Sequence, residues 1–484
     1  MSVPNSPTRS IDSSLAQAAE DHALVSVPPE DRKSGFHLSL STISVATALV
    51  IFSIGGFAVV LAGFGAGLTA GVLVAVLGVA LGKALGNMAL ATGLSSTITS
   101  RFFGFGLRGS SIGSTIFTIM ILGFLALESA LLYEGTLLMF GWSDTWPVRI
   151  LVYGVLTLAW IGMAIFGLRL ALRATGVLTV VTILVALYMV FKIYVLDGAS
   201  AMDVFAFEGV VPGGFGTKLE AALGVMGATA GTIALVSTDF ARYCRTKRDV
   251  TVLALAGPIT QNIVMTVLGS LIVIGGMPTV VQYLMDRNSG MTPDEAAAAG
   301  SAFVMGNTGA FFVIFAGWIG FVTIYAAQAK AQAINAYSGS LSLVNLVDAL
   351  TGRKPGRAVM VVVGNLIALL MIGGGILGKF TEYLAYLGCM TLAMCGVMIA
   401  DYYLVRGRRF EPGQRVEMWN WAGVGTLVAT AALGATLIAT DVYSLGFLVS
   451  FVTAVVGYPL LRRVLPEGTG SGFADTAEVL DEAR

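Results

Sequence analysis

Charge is what this sequence has least of. Only 12% of its 484 residues are Asp, Glu, Lys or Arg, against roughly 25% in a soluble domain. Half of the usual ionic surface is absent, which excludes a water-facing fold of this length and makes lipid the solvent for much of the surface. Cysteine is scarce too. Cys244, Cys389 and Cys395 sit in or beside apolar runs without CxxC spacing, which implies neither a disulfide framework nor a zinc site. The two histidines, His22 and His37, lie at or before the start of the first apolar run, and HExxH does not occur. A membrane metalloprotease and a histidine proton relay are therefore disfavoured. No GxxxxGK[ST] occurs, so ATP drive within the chain is unsupported. Gly104-Phe-Gly106-Leu-Arg-Gly109 matches GxGxxG but follows no strand, and reads as a tight turn or chance. The formal net charge of zero says nothing about nucleic acid, but no basic block or arm exists, and no nucleic-acid partner is expected. No metal or cofactor is implied.

What is present is apolar: 56% of residues are hydrophobic, and the sixty glycines lie largely inside apolar runs, where small residues let helices approach closely. About 20 apolar residues make a span, and such stretches recur near residues 39–64, 67–91, 111–139, 147–168, 172–196 and 218–240. Six more lie near 250–277, 309–337, 357–377, 380–404, 419–439 and 442–464. Lysine and arginine test the count independently. With the N-terminus inside, nineteen fall in or near the cytoplasmic segments and at most five outside. That is a strong positive-inside bias, and a miscounted span would scramble it. The sequence thus predicts an all-α integral membrane protein of about twelve transmembrane helices in the cytoplasmic membrane, with both termini cytoplasmic. Residues 1–36 read as a disordered cytoplasmic tail without the apolar segment of a signal peptide, and residues 466–484 as a second tail. Residues 37–410 hold helices 1–10, and 411–465 helices 11 and 12.

Backbone weak points fall in two spans. The first contains Gly55-Gly56 and the sixth Gly227-Ala228-Thr229-Ala230-Gly231-Thr232. Weak points in corresponding spans of two five-helix halves, near 39–196 and 218–404, are the signature of inverted-repeat transporters, whose broken helices present backbone groups at the midplane. Close helix packing is the alternative at each glycine. Two ionisable residues also lie within spans: Glu128 in the third, on the stripe Phe117, Ile121, Phe124, Glu128, and Lys330 in the eighth. A bare charge at that depth costs several kcal/mol, so each needs a partner or a wet cavity. The two are expected to approach each other near a central site, the alternative being a purely structural ion pair. Gln328, Gln332 and Asn335 share one face of the eighth helix and suit hydrogen bonding to a neutral heterocycle or amide, or else serve as interhelical glue. Lys330 points away from that face, towards the first helix.

Four segments resemble a known family. Ser237-Thr-Asp239-Phe-Ala-Arg242-Tyr243 resembles the [AS]-x-D-[FY]-x-R-[FY] signature of the nucleobase–cation symporter-1 family (purine-cytosine permease-like). Ala400-Asp401-Tyr-Tyr-Leu-Val-Arg406 is similar to its A-D-Y-Y-L-x-R motif. Asn335-Ala-Tyr337-Ser-Gly339-Ser-Leu341 resembles the segment after its eighth helix, and Thr92-Gly-Leu94 through Arg101-Phe102 its second loop. By themselves the two aspartate motifs sit at cytoplasmic helix ends, where Asp239–Arg242 and Asp401–Arg406 pairs read as a gate or anchor. The resemblance implies a leucine-transporter-like five-plus-five inverted repeat with helices 1 and 6 broken, and a substrate held between helices one, three, six and eight. It places Phe124 at an aromatic stacking position. The family's second aromatic falls near Ala230 and a helix-three glutamine near Ile121. Its sodium-binding hydroxyls fall near Lys330 and Ala331, so the ammonium stands where sodium is expected.

The reading is a secondary transporter importing a nucleobase such as cytosine or a purine by alternating access. Its candidate binding residues are Gly55, Gly56, Phe124, Thr229, Ala230, Gln328, Gln332 and Asn335. Glu128 and Lys330 are coupling charges, with a proton favoured over sodium. An allantoin, hydantoin or amino-acid-like substrate on the same fold is the alternative. A membrane enzyme or receptor is a further one, which the short loops do not favour. The oligomeric state is not readable from the sequence.

Overall fold

The computed structural model describes residues 26–474, apart from 288–289, 307, 354 and 412–413. Ten helices are each long and apolar enough to cross a bilayer among the described residues, or eleven if one bent pair is a single span. In chain order the bent pair is α1 (Gly35–Ala46 and Leu49–Ala62), followed by α2 (Phe64–Thr92), α3 (Ser110–Phe140), α4 (Trp146–Phe166), α5 (Gly176–Leu196) and α6 (Phe215–Ala241). Then come α7 (Lys247–Gly275), α8 (Gly309–Thr351), the shorter apolar α9 (Arg357–Gly373), α10 (Ile376–Val405), α11 (Trp421–Ala439) and α12 (Gly446–Val464). At 17 residues, α9 sits at the lower limit of spanning length.

Two helix groups frame the centre. In one, α1, α2, α6 and α7 pack on one another; in the other, α3 runs along α8 with α9 beside it. A face rich in Arg101, Arg242, Arg245, Arg406 and Arg462, called the basic face below, carries the loops between α2 and α3 and between α10 and α11. Its geometry comes from a few long-range bonds. Gly104 N–H donates to Asp401 Oδ2 (2.7 Å), and residues 416–417 pair antiparallel with 473–474. Residues 466–474, expected in a free tail, therefore fold back onto the domain, while 475–484 lie outside the described residues.

The first tail is corrected in the same way. Residues 1–25 lie outside the described residues, but 26–34 form a strap across the basic face. Val27 is buried and its N–H reaches Gly93 O (3.0 Å). Lys33 N–H reaches Tyr243 O (2.7 Å), and Gly35 N–H donates to Asp249 Oδ1 (2.8 Å). Asp249 is itself the capping-box acid at the start of α7, so the strap is tied to α2, α6 and α7 together.

The helix breaks also fall elsewhere than expected. Gly55 and Gly56 lie inside the regular helix Leu49–Ala62. A Cβ on Gly55 would stand 2.7 Å from Thr266 Cα, and one on Gly56 3.0 Å from Val273 Cγ2. They are the contact seam with α7, the packing alternative. The bend of 64° occurs earlier, between Ala46 and Leu49, where Ala48 is extended (φ −71°, ψ 155°). In α6, Met226 and Ala228 are separated by Gly227, which keeps helical angles (φ −58°, ψ −36°). The span is continuous there, and Gly227 serves to admit the ring of Phe447.

Candidate functional site

At the bend of α1 the chain presents the buried Thr47, and α8 answers with Lys330. The lysine is fully buried, and its Nζ donates to Thr47 Oγ1 (2.8 Å) and to Thr179 Oγ1 of α5 (2.9 Å). Thr47 Oγ1 passes its own proton to Ser44 O (3.1 Å), leaving its lone pairs for the ammonium. A buried charge survives only where such groups replace its water. The ammonium thus ties the bend of α1 to α5 and α8. As the sequence led us to expect, Lys330 faces the first helix. No ion pair within 4 Å joins it to Glu128 among the described residues, so the expected approach of the two charges is not a direct contact.

Glu128 instead lines a small pocket of about 30 Å³ with Phe124, Ile121, Thr232, Gln261 and Asn335. Glu128 is 2% exposed, and Asn335 Nδ2 donates to its Oε2 (3.2 Å). The same nitrogen donates to Gln332 Oε1 (3.2 Å). Gln332 is in turn held to α3, its Nε2 reaching Leu125 O and Ser129 Oγ at 2.9 Å each. Ser129 Oγ also accepts from Trp160 of α4 (3.2 Å). Gln332 is thus interhelical glue, while Asn335 is half glue and half pocket wall.

The remaining expected residues separate. Phe124 lines the pocket, edge-on to Tyr383 with ring centroids 6.3 Å apart. Thr229 does not line it, because its hydroxyl is spent on Met226 O (2.6 Å) and Asn262 Oδ1 (2.7 Å). Ala230 is fully buried and does not line it either. Gln328 is buried with neither amide atom hydrogen-bonded, and it too lies outside the pocket wall. Two polar wall residues, Thr232 and Gln261, escaped the sequence reading as binding residues. The signal for Gln261 is the polar triplet Thr260-Gln-Asn262 just after Pro258 in an apolar run. The helix widens there over Thr260–Val264, a distortion frequent at functional sites.

One helical turn towards the basic face, a larger cavity of about 350 Å³ begins. Its wall includes Phe117 and Tyr337 on one side and Asp31, Lys33, His37 and Arg242 on the other. The stripe Phe117, Ile121, Phe124, Glu128 thus runs from this vestibule into the pocket. Asp239, also on the vestibule wall, accepts Ser96 N–H and Ser96 Oγ–H at 2.8 Å each, and Arg242 Nε donates to its backbone oxygen (3.1 Å). Asp401 is fully buried and takes Gly104 N–H together with Arg406 Nε (3.2 Å). Both motif aspartates therefore hold one loop, residues 94–106, to opposite helix ends, which makes them anchors rather than pocket walls.

No family model matches the chain. Over 385 residues it is 25% identical to a hydantoin permease of Microbacterium maritypicum, spanning 75% of this chain and 70% of that one. The solved inward-facing conformation of Mhp1 has a TM-score of 0.68 at 17% identity, covering 91% of this chain and 93% of that one. Mhp1 in a closed conformation, described as a nucleobase-cation-symport-1 family transporter with bromovinylhydantoin bound, scores 0.66 at 17% identity, covering 93% and 97%. A substrate-bound, outward-open sodium-coupled sialic acid symporter scores 0.59 at 12% identity, covering 94% and 96%. These structures share the leucine-transporter-like fold with this chain, and the relatives are a permease and symporters, not enzymes. In sequence the chain is similar to a hydantoin permease and in fold it matches a nucleobase-cation-symport-1 transporter, and its apolar helices are those of a multi-pass membrane protein.

Proposed function

We propose that this protein is a permease for a small planar nitrogen heterocycle, a nucleobase or a hydantoin, working by alternating access with its basic face in the cytoplasm. The observation that carries the reading is the pocket between the two helix groups. It offers an aromatic wall in Phe124 and polar atoms of Glu128 and Asn335, one turn above a vestibule on the basic face. A wide opening on one face and a narrow pocket at the centre describe a carrier resting open to that side. A volume of about 30 Å³ has room for no more than about two waters, so a ring enters only as Phe124 and its neighbours move apart. The positive-inside bias of the sequence puts the open side in the cytoplasm, and the cytoplasmic membrane as the location follows from it.

Lys330 carries the coupling proposal. Its ammonium bridges the bend of α1, α8 and α5, work that a bound cation does where such helices present only oxygens. A tethered cation makes a soluble sodium ion redundant, so transport runs without sodium, and a proton is the remaining candidate. Ala230, small where the family resemblance expects an aromatic ring, leaves room for a non-aromatic ureide such as allantoin as the second reading. Uptake of labelled cytosine, hydantoin and allantoin into proteoliposomes decides among these. Saturable uptake of any one of them supports a heterocycle permease, and uptake of none, with amino acids carried instead, overturns it.

A further inference from the structure

The central pocket has a polar character that the site's individual residues do not reveal, because it depends on which hydrogen atoms are already spent. Glu128, as a carboxylate, only accepts hydrogen bonds. Asn335 directs its amide nitrogen at two acceptors, Glu128 Oε2 and Gln332 Oε1. An amide nitrogen has two N–H groups, so Asn335 is left with its carbonyl Oδ1. Thr232 gives its hydroxyl proton to Thr229 O (3.1 Å) and keeps only lone pairs. Gln261 Nε2 donates to Thr229 O (3.4 Å), which leaves Oε1 and one N–H. All four line the same pocket. Free acceptors therefore outnumber free donors several-fold on these side chains. The cation nearest in kind, Lys330, has its ammonium turned to Thr47 and Thr179.

We propose that the pocket selects solutes by a hydrogen-bond-donor edge, two adjacent N–H groups of an amidine or aminoheterocycle set against Glu128, with the ring against Phe124. This rests on the permease reading above and names the substrate class for it. The physical reason is the cost of unpaired groups. A ligand edge rich in carbonyl oxygens would face carboxylate, carbonyl and hydroxyl oxygens with no hydrogen between them, and buried acceptors left facing one another lose affinity. Two parallel N–H groups meet both oxygens of a carboxylate in the fork geometry that makes such pairs strong. Thr232 of α6 and the wider turn of α7 at Gln261 bring the other helix group to the same edge, so the preference is written by α3, α6, α7 and α8 together.

The test compares four probes on the full chain in detergent, by calorimetry or by competition with a labelled base. Isocytosine and guanine present adjacent N–H donors, whereas uracil and hydantoin present an N–H between two carbonyls. The expected result is that the donor-edge pair binds about 10- to 100-fold more tightly, the ratio of a charge-assisted bond made against one unmade. Glu128→Gln is expected to erase that ratio, and Glu128→Asp to keep most of it. Equal or tighter binding of uracil and hydantoin by the wild-type protein overturns the donor-edge proposal while leaving the permease reading intact. Binding of none of the four overturns both. Should Glu128→Gln not yield folded protein, the wild-type ratio decides alone.

Discussion

Replacing Lys330 by Met keeps an unbranched stem of similar length and removes only the ammonium. Two hydrogen bonds disappear, at 2.8 Å to Thr47 and 2.9 Å to Thr179. Bonds to a charged group are worth about 1.5–3 kcal/mol each, so the gross loss is about 3–6 kcal/mol. Against it stands the recovered cost of burying an ammonium, several kcal/mol after relaxation. Thr47 keeps its bond to Ser44 O, so that hydroxyl is not orphaned. The two terms nearly cancel, and folded stability should change by no more than about 2 kcal/mol. Transport has no such cancellation, because the bond to Thr47 biases the position of the α1 bend relative to α8. Losing about 1.5–3 kcal/mol of that bias shifts the population of the clamped state by about 10- to 150-fold. The initial rate of uptake into proteoliposomes should fall by a comparable factor, while the thermal midpoint moves by a few degrees at most. Uptake within twofold of wild type would refute the clamp. A collapse of the fold would refute the cancellation.

Other consequences follow from particular contacts. Gly55→Ala puts a methyl 2.7 Å from Thr266 Cα, a backbone atom that cannot yield cheaply. It should cost about 1–3 kcal/mol, read as a lower thermal midpoint, and an unchanged midpoint would contradict the seam with α7. Asp401→Asn keeps the shape but weakens the acceptor for Gly104 N–H and Arg406. It should destabilise the loop at residues 101–106 by about 1–3 kcal/mol, seen as faster amide exchange there, with ligand affinity unchanged. On the opposite face, Arg149 Nε and the Tyr133 hydroxyl both donate to Asp144 Oδ1. Arg149 first and Tyr133 second hold its carboxyl down at about 2. A depressed folded value means a contribution complete above about pH 4 and lost as the pH falls through about 2. Asp144→Asn should flatten the thermal midpoint's dependence on pH across that window.

The apolar runs were legible because a span needs a fixed length of hydrocarbon; among the described residues ten recur as helices of spanning length, the first run as a bent pair and α9 as a shorter helix. Lys330 was legible as well. Its angular offset from Gln328 and Asn335 already turned it towards the first helix, where Thr47 receives it. The break in α1 was not legible. It falls at Thr47-Ala48, where no glycine or proline marks it, and the glycines that suggested a break serve as a packing surface. Gln332 and Thr229 looked like binding residues because residue type reveals a donor or acceptor but not whether a neighbour has already taken it. Gln261 was missed for the converse reason. Its span was read as plain hydrocarbon, and only the widened turn after Pro258 brings the side chain to the pocket.

The central claim is that a lysine on α8 does the work of a coupling cation in a heterocycle permease. It is tested most directly by measuring uptake of labelled cytosine and hydantoin into proteoliposomes under separately imposed sodium and proton gradients. Concentrative uptake driven by the proton gradient and indifferent to sodium is the predicted result. Uptake that requires a sodium gradient would contradict it.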